Sequence, residues 1–345
     1  MDINRIYYRH PRSVFLNITG RCNLNCIYCS SGSINSPCCL SPQKATNILQ
    51  QLWDMGVVNV TLTGGEPLLY QGLEELISDI VQHAHVTINT NGILIPKYQD
   101  YFIQFPYKKR CDFQISVDSP IKVNNQRTRG NYDIEGVLNN VQWLIKAGYR
   151  VSIMCTATKY LMIEDLNAFH EYARLHPQIS IMFNGVKPCG KAEKAQWNEL
   201  RPTDKIIGEI MALVSVMPNV QTSLKLLRYE LDSSGVVQAA QSSLQCGAGT
   251  ECIAISDNGD VYPCTAMNIC MGNLFETNLM TICQESTVIK RLKKLREKTM
   301  DCIRPCSTCI HRKTCDGGCR ANALGYYGKL EAPDPYCNLG KEYGI

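Results

Sequence analysis

The amino-acid sequence predicts an α/β fold in two parts, an incomplete (β/α)6 barrel followed by a small cysteine-rich domain. Short β-branched runs alternate with amphipathic stretches from residue 13 to residue 188, and the alternation contains six strand signals. Six units are too few for a closed barrel of eight. Cysteines dominate the chain after residue 246. We therefore expect a partial barrel over residues 1–190, a bridging region over 191–245 and a cysteine-rich domain over 246–345.

The predicted elements follow one another regularly through the first part. The strand signals are SVFLNIT, VVNVTLTGG, HVTINTNG, CDFQISVDS, RVSIMCTAT and ISIMFNGVKP. The helical stretches between them are SPQKATNILQQLWDMG, GLEELISDIVQHA, DIEGVLNNVQWLIKAG and IEDLNAFHEYARLH. Residues 191–245 lack clear strands and contain one helix, TDKIIGEIMALVSVM. The last part predicts a hairpin, CIAISDNGDVYPC, a helix near 286–297, and irregular Gly- and Pro-rich turns.

Composition and charge favour an ordinary globular protein of the cytoplasm. The 345 residues are 45% hydrophobic and 19% charged, and the net charge is only +4. Basic residues cluster only at KKR and KRLKKLREK, so no nucleic-acid or membrane partner is expected. No signal peptide and no run of apolar residues long enough to span a membrane is present. In a reducing compartment, the 19 cysteines are better explained as metal ligands than as disulfides.

A tight run of three cysteines, GRCNLNCIYCSSG, follows the first strand. Cys22, Cys26 and Cys29 lie on a connection that leaves the carboxyl end of a strand, where barrel enzymes build their active sites. A structural zinc site requires four ligands, whereas three thiolates on a 4Fe–4S cluster leave one iron open. A partial zinc site and packing thiols are the alternatives.

The second strand ends in TLTGGEP, on the same face of the predicted barrel. Gly64 and Gly65 allow a ligand to approach the backbone, and Glu66 offers a carboxylate to an ammonium group. Alone, this motif would indicate only a turn that ends at Pro67. Together with C-x3-C-x-φ-C, in which Tyr28 is the aromatic φ, it resembles the radical S-adenosylmethionine (radical SAM) superfamily.

The resemblance implies a cofactor and a set of residues that contact it. In that superfamily the open iron chelates S-adenosylmethionine (SAM), which is cleaved to a 5′-deoxyadenosyl radical, and the GGEP loop holds the methionyl ammonium. Three further positions match superfamily sites that face the ribose and the methionyl carboxylate, namely Asn91 in TNG, Ser116 in ISVDS and Arg129 in QRTRG. Strand-end capping is the alternative role for Asn91 and Ser116, and a surface ion pair is the alternative for Arg129.

The C-terminal cysteines have the spacing C-x5-C-x11-C and then C-x2-C-x5-C-x3-C, with one more cysteine near the end. The second set of spacings resembles the SPASM extension of radical SAM enzymes, in which a Gly stands five residues before the cysteine, as Gly259 does before Cys264. By that resemblance two auxiliary 4Fe–4S clusters are closed by four thiolates each, which suits electron transfer. A pair of zinc sites is the alternative. The first auxiliary set is Cys246, Cys252, Cys264 and Cys319, and the second is Cys306, Cys309, Cys315 and Cys337.

Eight cysteines remain, and we expect most of them to be small buried side chains. One of them could instead donate a hydrogen atom to a substrate radical, as in peptide epimerases of this superfamily. Cys155 and Cys189 are nearest to the predicted barrel mouth, and Cys302 is close enough to Cys306 to replace it as a ligand. The others are Cys38, Cys39, Cys111, Cys270 and Cys283.

The resemblance to SPASM proteins implies an oxidoreductase that modifies a peptide or protein, for example in maturation of ribosomal peptide natural products. The ligand spacing is similar to that of anaerobic sulfatase-maturating enzymes. In those enzymes an acidic residue follows the cysteine of Y-P-C, whereas this chain has Thr265, which cannot act as a general base at neutral pH. Crosslinking, oxidation and epimerisation therefore all remain possible, and the catalytic base is unassigned.

The resemblance also implies partners. An electron donor such as flavodoxin or ferredoxin is expected, and few residues precede the first strand, so the barrel, the bridging region or a separate leader-peptide-binding protein must hold the substrate. Two other readings are a small-molecule enzyme like those that modify haem-pathway porphyrins, and a metal module without catalytic activity. The sequence does not identify the substrate or the oligomeric state.

Overall fold

The computed structural model describes residues 10–31, 35–224, 246–303, 306–309 and 317–337, and two short strands between residues 230 and 238. Among these residues, no helix is both long enough and apolar enough to cross a membrane. The strands are β1 Ser13–Arg21, β2 Asn35–Cys39, β3 Asn59–Gly64, β4 His85–Thr90, β5 Cys111–Ser116, β6 Arg150–Ala157, β7 Ser180–Gly185, β8 Val220–Thr222, β9 Glu230–Leu231, β10 Val237–Gln238, β11 Cys252–Ile255, β12 Asp260–Tyr262 and β13 Gly272–Asn273.

The six predicted strands form a parallel sheet in chain order. Strand β1 pairs with β3, and β4, β5, β6 and β7 follow, each parallel to its neighbour. Strand β2 lies antiparallel against the end of β1. This arrangement confirms the incomplete barrel that the alternation predicts.

Two extensions of the sheet were not expected. Strand β8 pairs in parallel with β7, so the prediction of no strand in residues 191–245 is wrong; three residues are too few to show an alternating pattern. On the other side, β11 pairs in parallel with β1, and β12 and β13 continue the sheet in antiparallel order. The cysteine-rich part is therefore joined to the barrel through one continuous sheet.

Helices cover the outer face of this sheet. Amphipathic patterns and N-terminal caps position them, as when the Ser41 side chain accepts a hydrogen bond from the Lys44 backbone N–H at 3.3 Å. The helices are α1 Pro42–Asp54, α2 Leu73–His83, α3 Gln99–Gln104, α4 Lys122–Arg129, α5 Ile134–Lys146, α6 Ile163–Leu175, α7 Lys194–Leu200, α8 Asp204–Val216, α9 Leu279–Glu285, α10 Thr287–Cys302 and α11 Arg320–Tyr327.

The two faces of the sheet differ in burial. Apolar side chains such as Leu62, Ile88 and Ile115 are fully buried in the main core. The alternate positions, for example Thr63 and Asn89, are only half-buried. Since successive side chains of a strand point to opposite faces, the half-buried polar set lines the inside of the open barrel. The carboxyl ends of these strands carry the predicted site.

The C-terminal part packs on the end of the barrel through aromatic side chains. Trp197 of α7 donates a hydrogen bond from its indole N–H to the Val186 carbonyl at 2.8 Å, and the Tyr336 hydroxyl donates to the same oxygen at 2.8 Å. The Tyr326 ring of α11 lies 5.0 Å from the Trp197 ring, centroid to centroid. Helix α11 lies where the sequence indicated irregular turns, so that prediction is wrong. The expected helix near 286–297 is present as α10 and extends beyond it.

Candidate functional site

The three-cysteine loop leaves β1 at the carboxyl edge of the sheet. Cys22, Cys26 and Cys29 are all half-buried, so their sulfurs remain reachable. Burial raises the pKa of Cys22 and raises that of Cys26 to about 11, and charge repulsion from the neighbouring thiolates of the loop adds to both shifts. The loop is fixed from outside by a hydrogen bond from the Ile27 N–H to the Thr128 carbonyl at 2.9 Å.

The two glycines of the GGEP loop are required by the neighbouring strand. A Cβ on Gly64 would lie 2.3 Å from the Thr19 carbonyl oxygen, and one on Gly65 would lie 2.1 Å from that of Arg21. The backbone N–H of Gly65 donates to Thr19 at 2.7 Å, and that of Glu66 donates to Arg21 at 2.7 Å. The space that side chains would need at both positions is therefore filled by β1, so the packing of this loop on β1 also requires glycine.

Glu66 is 1% exposed, and the chain itself satisfies much of its carboxylate. Oε1 accepts hydrogen bonds from the Leu68 N–H at 3.0 Å and the Thr90 hydroxyl at 2.6 Å, and Oε2 accepts from the Asn91 N–H at 2.8 Å. Burial raises the pKa of Glu66, and these three donors oppose that rise. Glu66 thus ties the end of β3 to the end of β4, and the neighbouring Pro67 is buried.

Asp118, which the sequence analysis did not single out, joins several predicted site residues. Its carboxylate is 4% exposed and accepts hydrogen bonds from the Tyr28 hydroxyl at 2.5 Å and the Thr128 hydroxyl at 2.6 Å. It also accepts from Arg129 Nη2 at 2.9 Å and from the Thr156 backbone N–H at 3.0 Å. A carboxylate two residues after Ser116 in ISVDS was the available signal.

Arg129 is buried rather than on the surface, so the alternative of a surface ion pair is wrong. It forms an ion pair with Asp118, and both side chains are about one-twentieth exposed. Its Nε is buried and has no partner among the described residues. A buried donor without an acceptor is costly, and the carboxylate or hydroxyls of SAM would supply one. The donor set at this edge therefore fits the cofactor.

Asn91 and Ser116 lie at the ends of the neighbouring strands. The Asn91 side-chain amide donates to Asn23 Oδ1 of the cysteine loop at 2.7 Å and accepts from the Ile93 N–H at 3.0 Å. The Ser116 carbonyl accepts a hydrogen bond from the Tyr132 hydroxyl at 2.8 Å. Both residues therefore lie at the carboxyl edge of the sheet, as predicted. The side chain of Asn91 also connects the end of β4 to the cysteine loop through a hydrogen bond.

A cavity of about 380 Å³ lies between the barrel and the C-terminal hairpin. Ser30 and Ser31 of the cysteine loop line one wall, and Cys264 and Thr265 line another. The end of the cysteine loop and Cys264 of the C-terminal part therefore face the same space. Further lining residues include Asn17, Thr63, Cys189, Glu193, Ser256, Tyr262, Met267 and Asn268.

Cys264 lines this cavity and interacts electrostatically with the other three cysteines of the first auxiliary set. Burial raises the pKa of Cys264 to about 12, and nearby thiolates from Cys319, Cys246 and Cys252 also raise it. Burial likewise raises the pKa of Cys252 to about 12. Four thiols whose charges repel one another in this way fit a cluster bound by one thiolate per iron.

The second auxiliary set is described only in part. Cys306 and Cys309 share one turn, where the Cys309 N–H donates to the Cys306 carbonyl at 3.2 Å, and Cys337 ends the last described segment. Cys315 lies outside the described residues. Within the described part of the chain, no group of three or more His, Cys, Asp or Glu side chains converges on a single metal ion.

The other cysteines differ in exposure. Cys111, Cys155 and Cys283 are buried as expected, whereas Cys39 and Cys270 are exposed. The side chains of Cys38 and Cys302 lie outside the described residues.

The structure separates the two candidate hydrogen donors. Cys155 is fully buried, and its thiol donates to the Asp118 carbonyl at 3.4 Å. Cys189 is half-buried and lines the cavity. Only Cys189 of this pair faces the space between the two domains.

The sequence matches two family models. Residues 16–173 match the radical SAM superfamily, and residues 246–310 match SPASM, an iron-sulfur cluster-binding domain. The two matches coincide with the barrel that carries the three-cysteine loop and with the hairpin and helices that follow.

Known proteins resemble the chain over most of its length. It is 26% identical to the mycofactocin maturase MftC of Mycolicibacterium smegmatis, over 96% of this chain and 83% of that protein. It is 23% identical to the AdoMet-dependent heme synthase of Methanosarcina barkeri, over 95% of this chain and 96% of that protein.

A solved structure shows the same fold. Streptococcus suis SuiB bound to the precursor peptide SuiA superposes with a TM-score of 0.75 at 19% identity, covering 96% of this chain and 77% of SuiB. The matched domains bind SAM and iron–sulfur clusters as a class. The chain therefore contains a radical SAM domain over residues 16–173 and a C-terminal SPASM domain over residues 246–310.

Proposed function

We propose that this protein abstracts a hydrogen atom from a residue of a peptide or protein and thereby catalyses its modification. The observation that carries the proposal is the cavity of about 380 Å³, because Ser30 of the cysteine loop and Cys264 of the SPASM domain line it together. A substrate held there would contact both domains. The mycofactocin maturase and the peptide-bound SuiB support a role in maturation of ribosomal peptides.

The proposed cofactors are SAM and three 4Fe–4S clusters. We assign the cluster that binds SAM to Cys22, Cys26 and Cys29, because three thiolates leave one iron for the cofactor. When bound, that cluster and SAM supply the 5′-deoxyadenosyl radical. The residues that we assign to SAM are Tyr28, Gly64, Gly65, Glu66, Pro67, Asn91, Ser116 and Arg129.

We assign each auxiliary cluster four cysteines, which closes it to substrate. The electrostatic interaction of Cys264 with the other three thiols supports the first set. The second set extends to Cys315, beyond the described residues. The ligands are Cys246, Cys252, Cys264 and Cys319 in the first set, and Cys306, Cys309, Cys315 and Cys337 in the second.

In this proposal the protein's own residues hold the loops of the site in place and line the substrate cavity. Asp118 holds Tyr28 and Arg129 in place, and Glu66 fixes the neighbouring loop. Thr265 lines the cavity but has no basic group, so a crosslink or an epimerisation fits better than oxidation of a sulfatase residue. Cys189 lines the same cavity and is our candidate donor if the product is an epimer.

The domain limits in this proposal are 1–190 for the radical SAM barrel, 191–245 for the bridging region and 246–345 for the SPASM domain. We further propose a cytoplasmic protein that takes electrons from flavodoxin or ferredoxin. A separate leader-binding protein is a further candidate partner.

A porphyrin-modifying enzyme is the second candidate function. The resemblance to the heme synthase of Methanosarcina barkeri, which extends over nearly all of both chains, favours it. This alternative predicts that a tetrapyrrole binds tightly and that peptides have no effect on SAM cleavage.

The experiment is anaerobic turnover of the reconstituted protein with peptides encoded next to its gene, followed by mass spectrometry. Loss of the mass of two hydrogen atoms would support a crosslink or an oxidation. An unchanged mass with deuterium uptake from solvent would support epimerisation. The peptide proposal is wrong if no such peptide is altered while a tetrapyrrole is converted.

The cluster assignment has its own test. The fully reconstituted protein should contain roughly twelve irons per chain, and Cys264→Ala should lower this by roughly four. A value near four in the wild-type protein, after careful reconstitution, would contradict the two auxiliary clusters.

A further inference from the structure

Three cations lie near the cysteines of the first auxiliary set. Lys187 is half-buried two residues after β7, and its Nζ is 3.9 Å from Cys319 Sγ. Arg296 of α10 is 7% exposed, and Arg320, the neighbour of Cys319, is 2% exposed. Burying a charge is expensive unless a charge of opposite sign compensates it. We therefore asked which negative charge compensates these positive side chains.

Neither guanidinium group is paired with a carboxylate among the described residues. Arg296 donates to the Thr250 hydroxyl and the Ala248 carbonyl, both at 2.5 Å, and these residues lie in the loop between Cys246 and Cys252. Arg320 donates to three backbone carbonyls, including that of Leu330 at 2.7 Å. Each Nε is buried without a described partner. For Arg296 in particular, a hydroxyl and a carbonyl oxygen accept the hydrogen bonds without supplying a negative charge.

Two negatively charged or sulfur-bearing groups lie near the Lys187 ammonium group, namely Asp334 and Cys319. Asp334 is the nearby carboxylate, but it accepts hydrogen bonds from the Cys319 N–H at 2.6 Å and the Tyr336 N–H at 3.1 Å. Lys187 therefore points at the sulfur, while Asp334 holds the backbone of the same cysteine. Another cysteine of the same set, Cys264, lines the cavity.

A cluster at this set would supply the missing negative charge. A 4Fe–4S core with charge 2+ and four thiolates has two net negative charges, and one-electron reduction adds a third. A nearby cation stabilises the more negative state, and it does so more strongly away from water. The cations therefore favour the reduced cluster.

We propose that Lys187, with Arg296 as a second cation, raises the reduction potential of the first auxiliary cluster. This cluster then accepts an electron from a substrate bound in the cavity. The proposal rests on the ligand set proposed above. After hydrogen abstraction the substrate radical gives one electron to this cluster and one proton to water. The substrate is thus oxidised, and the cluster core is reduced from 2+ to 1+. Lys187 is a positioning residue in this scheme and forms no bond to the substrate.

The test is an anaerobic reductive titration of the reconstituted full chain with dithionite, in which electron paramagnetic resonance follows each cluster. Lys187→Met removes the charge and keeps the chain length, and Lys187→Arg keeps the charge. The matched control is Lys205→Met, on the exposed side of α8. We expect one midpoint potential to become more negative in Lys187→Met, to stay near the wild-type value in Lys187→Arg, and to be unchanged in Lys205→Met.

Arg296→Met gives an independent second measurement, and it should move the same midpoint in the same direction. If Lys187→Met loses the iron of one cluster while Lys187→Arg retains it, the cluster requires the charge, which supports the proposal. Equal iron loss in both variants, or full iron content with unchanged midpoints in Lys187→Met and Arg296→Met, would overturn it. The titration needs no substrate, so its failure is distinguishable from a failure to find a peptide.

Discussion

At the scale of the residue, Asp118 is the side chain on which the cysteine loop most depends. It accepts hydrogen bonds from Tyr28 of the loop and from Thr128, and it pairs with the buried Arg129. The sequence revealed Tyr28 and Arg129 because they stand in recognisable motifs. It did not reveal Asp118, since its importance comes from contacts among residues far apart in the chain.

Asp118→Asn should destabilise the protein strongly, because it leaves the Arg129 guanidinium buried without a counter-charge. We expect a loss of roughly 3–5 kcal/mol in the free energy of unfolding. Asp112→Asn is the control, since Asp112 pairs with the mostly exposed Arg150 and should cost about 1 kcal/mol or less. Urea unfolding of the apoprotein measures both, and equal losses would contradict the role given to Asp118.

Gly65→Ala tests the contact between the GGEP loop and β1. The new Cβ would lie 2.1 Å from the Arg21 carbonyl, so the loop must move away from the end of β1, where the cysteine loop begins. We expect the affinity for SAM to fall at least about tenfold, or ~1.4 kcal/mol.

Gly56→Ala is the control for that measurement. Gly56 has φ +77, and a Cβ added there would meet no atom within 4 Å, so the substitution strains the backbone without a clash. Anaerobic calorimetry should give wild-type SAM affinity for Gly56→Ala. Wild-type affinity in Gly65→Ala would show that the close approach does not position the site.

At the scale of the element, alternating βα units were enough to predict the six parallel strands and their order. Local patterns did not predict that β11 pairs with β1, because the partners Ser13 and Cys252 are far apart in sequence. Helix α11 was missed as well, since its eight residues are flanked by cysteines and glycines that indicate turns. Strand pairing between distant segments and short helices are therefore the features that could not be predicted from the sequence.

Helix α11 is held against the loop after β7 by a close approach at Gly325. A Cβ there would lie 2.1 Å from the Pro188 carbonyl oxygen, so Gly325→Ala should push the helix off this loop. We expect faster hydrogen exchange in residues 187–191 and 320–327 and unchanged exchange in β3–β5. Gly328→Ala, at a position with open space, should leave residues 187–191 unaffected. The packing argument fails if both variants change that loop alike.

At the scale of the whole molecule, one continuous sheet brings the end of the three-cysteine loop and Cys264 of the C-terminal part to one cavity. The loop after β7 contacts both the three-cysteine loop and the C-terminal part. The Lys191 N–H donates to the Cys29 carbonyl at 2.9 Å, and Lys187 reaches Cys319 at the other end of the loop. Under the proposed function, a substrate in the cavity would therefore lie between the site of radical formation and the first auxiliary set.

The most direct test of this account is whether the reduced, iron-reconstituted protein cleaves SAM to 5′-deoxyadenosine under anaerobic conditions. The wild-type protein should produce it, and Cys26→Ala should not, because the cluster that binds SAM would lose a ligand. Cys270→Ala, which removes an exposed cysteine outside all three sets, should retain the activity. A fully iron-loaded wild-type protein that yields no 5′-deoxyadenosine, or undiminished cleavage by Cys26→Ala, would contradict it.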